Sequence, residues 1–320
     1  MTKKCDVSIV IPVYNEEENV GILYKELKTV LEYMHIQYEI LFVDDGSIDD
    51  SFKIMENMAM NDSAVKIVKL LSNYGQSNAI GAGLKYAKGD SIITMDSDLQ
   101  HDPDDIPRLL KKLDEGYHVV CGWRKHRSKA DSLFGKTIPS HIFNFLTTRL
   151  TGLKNLHDIA GGMRALKRDI VESIELYGEM HRYLPALATW RGFKVAEEEI
   201  TIRKRKYGTT KYGIRRLFRG FLDLITVKFL ISYSTRPLHL FGGMGFFSFA
   251  LGFLFGLYLL IQKFLFHVSL LEQHLPLLLL LVLLMIIGVN LISLGLMADM
   301  LSLYKKKEEY IVEKIVTTEK

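Results

Sequence analysis

Two long apolar stretches, Leu238–Ile261 and Leu275–Leu296, limit what this chain can become. Each is about the length a helix needs to cross a bilayer core, roughly 20 apolar residues. Inside lipid a backbone must satisfy its hydrogen bonds within its own segment, and a helix does so. The short segment Gln262–His274 between them therefore predicts a helical hairpin. Lys and Arg are dense before the first stretch, at 203–219, and again after the second, at Lys305, Lys306 and Lys307. That asymmetry places both ends of the hairpin in the cytoplasm. The same bases suit anionic lipid headgroups or phosphates, although topology signals with no ligand explain part of them.

Gly252 and Gly256 form a small-xxx-small pattern in the first stretch. It permits close helix packing and suggests a homo-oligomer, but a chance pairing in a glycine-rich segment reads the same. Asp299, near the cytoplasmic end of the second stretch, is expected to snorkel to the interface. Gly213–Ser232 places Leu217, Phe221, Leu224, Ile225 and Phe229 at helical spacing against Arg215, Arg216, Arg219 and Lys228. Such a helix lies in the interface plane or packs on the soluble part; both readings stand.

Residues 1–235 have the composition of soluble protein, enough for one α/β domain. No signal peptide is expected, because the N-terminus runs directly into a strand-like segment. Cys5 and Cys121 are too few for a disulfide framework and lack metal-ligand spacing. The formal net charge of +4 is mild and gathered beside the apolar stretches, so no nucleic-acid partner is expected. The expected organisation is a cytosolic domain at 1–212, a juxtamembrane amphipathic helix at 213–236, two transmembrane helices at 237–304 and a cytosolic tail at 305–320.

Val7–Val13, Ile40–Val43, Val65–Leu70 and Ser91–Met95 are short apolar runs of strand character. Helical periodicity at Glu18–Met34, Ser51–Met60 and Gln76–Ala87 alternates with them, which implies βαβ units and a parallel sheet. Ligands collect at the carboxyl ends of such strands. Three polar clusters fall there: Pro12–Glu16, Asp44-Asp45-Gly46-Ser47, and Asp96-Ser97-Asp98. Asp96 and Asp98 follow the buried run Ile92–Met95, and on extended backbone they would point the same way. Two hard oxygen ligands suit Mg²⁺ or Mn²⁺ bridging a diphosphate. Asp102 reads instead as the cap of a helix at Pro103–Leu113.

Ser8–Glu16, Val43–Ser47, Asn73–Gln76, Met95–Gln100, Gly122–Arg124, Tyr177–Arg182 and Lys206–Gly213 together resemble the family 2 glycosyltransferases. The likeness is to the polyprenyl-phosphate branch, which includes bactoprenol glucosyltransferases and dolichol-phosphate mannose synthase, and it covers nearly the whole chain. It implies a GT-A fold: a Rossmann-like, mostly parallel sheet in a cytosolic domain, with interfacial amphipathic helices and a C-terminal transmembrane hairpin. It implies an enzyme that moves a sugar, glucose by the bactoprenol likeness, from a nucleotide sugar such as UDP-glucose to a polyprenyl phosphate, with inversion. By the same resemblance Pro12, Tyr14 and Glu16 would shape the nucleotide pocket, with Asp44, Asp45 and Gln76 at the base and ribose. Asp96, Asp98 and Gln100 would bind metal and diphosphate; Arg124, Arg205 and Lys211 would neutralise phosphates, including the acceptor's. His181 and Arg182 attract attention only through that likeness. The family usually has Tyr-Gly-Cys-Gly where this chain has Ile159-Ala-Gly-Gly162, and Ser where it has Thr210.

A lipid monophosphate is largely dianionic at neutral pH, its second pKa being about 6, so it is already a nucleophile. Such a reaction needs cations more than a general base. Asp158 stays open as a base, as a residue that orients an Arg, or as the cap of the turn before Arg164. Two other readings are weaker. A processive polysaccharide synthase would need a translocating channel and a Gln-x-x-Arg-Trp motif, which the chain lacks. A non-catalytic sugar-nucleotide sensor would be expected to lose the metal acids, and Asp96, Asp98 and Gln100 are intact.

Overall fold

The structure is a computed structural model and describes residues 5–125, 156–158, 161–173, 180–203, 226, 228–229, 233, 236–267 and 269–304. Arg205, Lys211, most of the 213–236 stretch and the tail after 304 lie outside the described residues. The chain divides into two compact units, Met1–Val227 and Lys228–Lys320.

The first unit alternates strand and helix as its sequence predicts. In order come β1 (Val7–Val13), α1 (Glu17–Tyr33), β2 (Tyr38–Asp44), α2 (Ser51–Asn61), β3 (Val65–Lys69), α3 (Gln76–Tyr86) and β4 (Ser91–Thr94). Next are α4 (Ile106–Asp114), β5 (Val119–Trp123), β6 (Arg164–Lys167), α5 (Arg168–Ser173), α6 (Leu184–Trp190) and β7 (Val195–Glu199). All seven residues of β1 are buried, as befits a central strand covered on both faces. Val7, Ile9, Ile11 and Val13 face one core with Val20, Leu23, Leu27 and Leu31 of α1, while Val10 faces the other with Ile80 and Leu84 of α3. The period of two in the strand and of three to four in the helix thus meet.

The sheet order is β3-β2-β1-β4-β6-β5-β7. Every pair is parallel except those of β6, which runs antiparallel to both β4 and β5. The sheet is therefore mixed, and one reversed strand interrupts the parallel expectation. The helix expected at Pro103 opens as a 3₁₀ turn, Pro103–Asp105, before α4; Asp102 caps it, accepting from the Asp104 N–H at 3.1 Å.

In the second unit α7 (Pro237–Leu265) and α9 (Leu275–Tyr304) form the expected hairpin, and both are long and apolar enough to cross a membrane. α7 runs past the expected end at Ile261, and a short helix α8 (Leu270–Gln273) occupies part of the connection. The helices touch through small residues. A Cβ at Gly288 would stand 2.8 Å from the Gly245 carbonyl oxygen, and one at Gly252 would stand 3.0 Å from Met285. Ser248 Oγ donates to the Leu284 carbonyl at 2.9 Å. The glycine face of α7 is thus used within the chain and gives no argument for an oligomer. Asp299 does not simply snorkel: its Oδ1 accepts the Leu238 N–H at 3.2 Å, satisfying one of the first-turn donors of α7.

Gly288→Leu is expected to destabilise the hairpin by about 1–3 kcal/mol through overpacking. Gly243→Leu should be neutral, since a Cβ there meets nothing within 4 Å. Thermal midpoints of the detergent-solubilised protein measure both; equal midpoints for the two variants would contradict the packing described.

Candidate active site

The loops that leave β1, β2 and β4 at their carboxyl ends converge as parallel topology requires. Asn15, with φ 54°, turns the chain out of β1. Its side-chain carbonyl accepts the Ile48 N–H at 2.9 Å, and its own N–H donates to Ser47 Oγ at 3.1 Å. The Glu16 N–H donates to Ser51 Oγ at 2.8 Å, and Glu16 Oε2 accepts from Asn19 Nδ2 at 2.6 Å. Tyr14 and Glu16 therefore sit on a loop stitched to its neighbour, while Pro12 lies inside β1 opposite Val43.

Asp44 and Asp45 are buried. Asp44 Oδ1 accepts the Ser47 N–H at 3.1 Å, and its buried Oδ2 has no hydrogen-bond partner among the described residues. Asp45 accepts the Tyr74 N–H at 2.8 Å on one oxygen and the Gly75 N–H at 2.9 Å on the other. Burial pushes its carboxyl up, and those two amides oppose the rise. Asp45 thus anchors the 73–76 loop.

That loop delivers Gln76, whose Nε2 donates to Asp96 Oδ1 at 2.6 Å. His101 Nε2 lies 3.8 Å from Asp96 Oδ2. Burial works against ionising Asp96, but His101, then His181 and Arg124, more than offset it and hold the carboxyl at about 2. β4 ends at Thr94 and the backbone bends at 97–99, so strand alternation does not aim Asp98. A local turn does: Leu99 is buried with φ 59°, and Asp98 Oδ1 accepts the Gln100 N–H at 3.1 Å. Asp96 is half-buried and Asp98 buried.

On the far side, Arg124 follows β5 and makes a two-pronged contact with Asp158, Nε to Oδ2 at 2.6 Å and Nη2 to Oδ1 at 2.9 Å. This fork is the strong geometry for a guanidinium and a carboxylate. Gly161 and Gly162 join the two sides. A Cβ on Gly161 would meet the Gly122 carbonyl oxygen at 2.7 Å, and one on Gly162 would meet Asp96 Oδ2 at 2.2 Å and His101 Nε2 at 2.7 Å. No side chain fits between the loop and the Asp96–His101 pair.

Several contributors gain roles that sequence reading does not assign. Arg164 is buried in β6; its burial disfavours the charged form, which Cys121, Asp96 and Asp158 support. His181 Nδ1 meets Ser77 Oγ at 2.5 Å, tying the 180–183 turn to the start of α3. Arg203 bonds Asp102 and Glu26, and its N–H donates to the Gln100 carbonyl at 2.8 Å, so the chain reaches residue 203 beside the acidic cluster. Glu197 of β7 accepts the N–H groups of His157 and Asp158.

Among the described residues no three His, Cys, Asp or Glu side chains converge on one ion site. Mg²⁺ ordinarily takes one or two carboxylates and completes its shell with water and substrate phosphate. Two carboxylates and an amide on the turn 96–100, all hard oxygen donors, fit that pattern.

The model of Glycosyl transferase family 2 matches residues 8–175. The dodecaprenyl-phosphate galacturonate synthase of Rhizobium johnstonii is 36% identical over 97% of this chain and 93% of its own length. The undecaprenyl-phosphate 4-deoxy-4-formamido-L-arabinose transferase of Klebsiella pneumoniae strain 342 is also 36% identical, with the same shares covered. Among solved structures, glucosyl-3-phosphoglycerate synthase from Mycobacterium tuberculosis with Mn²⁺ and UDP-glucose superposes with TM-score 0.54. That match has 18% identity and covers 71% of this chain and 79% of the other. A mannosyltransferase from Pyrobaculum calidifontis, in complex with GDP-Man and Mn²⁺, gives TM-score 0.51 at 17% identity, covering 71% and 64%. These likenesses show the fold, a GT-A arrangement with a mixed sheet. With its acids at the strand ends, its family match and its full-length relatives, the chain is a glycosyltransferase and belongs to glycosyl transferase family 2.

Proposed function

We propose that the protein transfers a sugar from a nucleotide-sugar donor to a polyprenyl phosphate at the cytoplasmic face of the membrane, anchored by α7 and α9. The observation that carries this reading is the Arg124–Asp158 fork set against the Asp96–Gln100 turn across Gly161 and Gly162. A fixed cation opposite an acidic, metal-competent turn suits a reaction between two anions. At about 4 Å two unit charges repel by about 4 kcal/mol at an effective dielectric near 20, so a cation must be in place before they meet. The relatives in Rhizobium and Klebsiella, named for polyprenyl-phosphate acceptors, support the same acceptor here.

In this reading a lipid phosphate oxygen attacks the anomeric carbon, the bond from that carbon to the diphosphate oxygen breaks, and the nucleoside diphosphate leaves. The configuration inverts and no proton need be removed. Asp98, with Gln100 and Asp96, would hold Mg²⁺ or Mn²⁺, which neutralises charge gathering on the departing diphosphate. Gln76 steadies Asp96. Asp158, with both oxygens on Arg124, serves as its holder rather than as a base. Arg205 and Lys211 would add charge at the acceptor phosphate.

The relatives' sugars, galacturonate and 4-deoxy-4-formamido-L-arabinose, make a modified sugar, rather than glucose, the first donor to test. The test is a panel of UDP-glucose, UDP-galacturonate and UDP-4-deoxy-4-formamido-L-arabinose with undecaprenyl phosphate, with and without Mn²⁺. A modified sugar is expected to exceed glucose by at least about tenfold in kcat/KM. Glucose preferred over both would reverse the donor assignment, and no transfer with any donor would count against the reaction itself.

A further inference from the structure

Glu197 is an acid inside a strand. β7 pairs in parallel with β5, which sets Cys121 opposite Glu197 and Trp123 opposite Glu199. The Glu197 side chain is only 7% exposed, and a carboxylate that deep persists only where hydrogen bonds replace its water. Its Oε1 accepts the N–H groups of both His157 and Asp158 at 2.7 Å, and its Oε2 meets His157 Nδ1 at 2.9 Å. The imidazole is packed by the Trp123 indole, with centroids 4.3 Å apart and planes 17° from parallel.

One oxygen holding two consecutive amides leaves the backbone at 157–158 little freedom. Asp158 departs from that backbone to take Arg124 in its fork. The same two strands also close the outer end of the arrangement, where Lys125 Nζ lies 3.0 Å from Glu199 Oε2. Arg124 is thus fixed at both its ends: by its own place after β5, and by a carboxylate whose backbone β7 holds.

We propose that Glu197 is a positioning residue, which fixes the His157–Asp158 backbone so that Asp158 aims Arg124 at the acceptor phosphate. It touches no reacting atom. The inference rests on the acceptor reading given above, and its test separates the two.

The experiment uses full-length protein in lipid nanodiscs. E197A is expected to lower kcat/KM for polyprenyl phosphate by about 100-fold, the cost of a misplacement near 1 Å, with the donor KM changed by less than about twofold. E197Q keeps the oxygen that takes both amides and should stay within about threefold of wild type. In an R124A background, E197A should add no further loss, because both changes remove one function. Amide exchange reads the holding directly: the 157 and 158 N–H groups should be protected in wild type and E197Q and exchange fast in E197A. Equal exchange in wild type and E197A would overturn the proposal, as would losses that multiply with R124A or fall equally on donor and acceptor. A wild-type protein idle with polyprenyl phosphate would refute the acceptor reading instead, and amide exchange would still decide on Glu197.

Discussion

Replacing Asp98 by alanine is expected to lower sugar transfer by about 10²–10³-fold, the usual cost of removing one preorganised partner of transition-state charge. The fold should survive. Asp98 is buried, and the turn contact it accepts from the Gln100 N–H at 3.1 Å is a neutral-donor bond that contributes about 1 kcal/mol. Asp98→Asn keeps an acceptor for that amide and loses the charge that binds a hard cation, so it should melt like wild type and be as inactive as the alanine variant. Mn²⁺ titration followed by nucleotide binding would show weaker metal dependence in both. Turnover within about tenfold of wild type would remove Asp98 from the metal set.

The second large effect is expected at the Arg124–Asp158 fork. The two side chains are 13% and 10% exposed, so removing one takes the forked contact from the other where there is little water, at a cost below the about 3–5 kcal/mol of a fully buried pair. Asp158→Ala should therefore lower the melting temperature as well as activity. Arg124→Ala should reduce kcat/KM for the acceptor by about 100-fold or more. Removing both should restore part of the stability and none of the activity, because no unpaired charge remains. Arg124→Lys should not rescue, since an ammonium cannot reproduce the two parallel bonds. Comparison of melting temperature with acceptor kinetics separates holder from base. If Asp158→Ala alone were inactive while keeping wild-type stability and acceptor KM, Asp158 would be acting as a base.

Much of the architecture was legible because it is written in local periodicity. The strand runs at Val7 and Ile40 and the helices at Glu18 and Ser51 appear within a residue or two of their expected limits. The apolar hairpin was equally plain, since nothing but helices suits two such stretches. The reversed strand β6 was not, because Arg164-Ala-Leu-Lys167 carries charge at both ends and only its neighbours make it a strand. Of the site, the acids at the strand ends were visible by position. Their partners were not: Ser77 with His181 and Glu197 under Asp158 are joined across the fold, where no spacing rule connects them, and His101 meets Asp96 only because the turn at 97–99 brings it back. Asp45 carries a role that spacing did not reveal. Its place in Val43-Asp-Asp-Gly-Ser47 points to the nucleotide pocket, and the two amides it accepts also make it the anchor of the 73–76 loop.

The most direct test of the account is the identity of both products from one turnover of purified protein with a nucleotide sugar and polyprenyl phosphate, read by mass spectrometry. The expected products are a lipid bearing one phosphate and one sugar, with one equivalent of nucleoside diphosphate released. Release of nucleoside monophosphate with a lipid diphosphate would mean that the diphosphate itself was cleaved. That product would contradict direct displacement at the anomeric carbon.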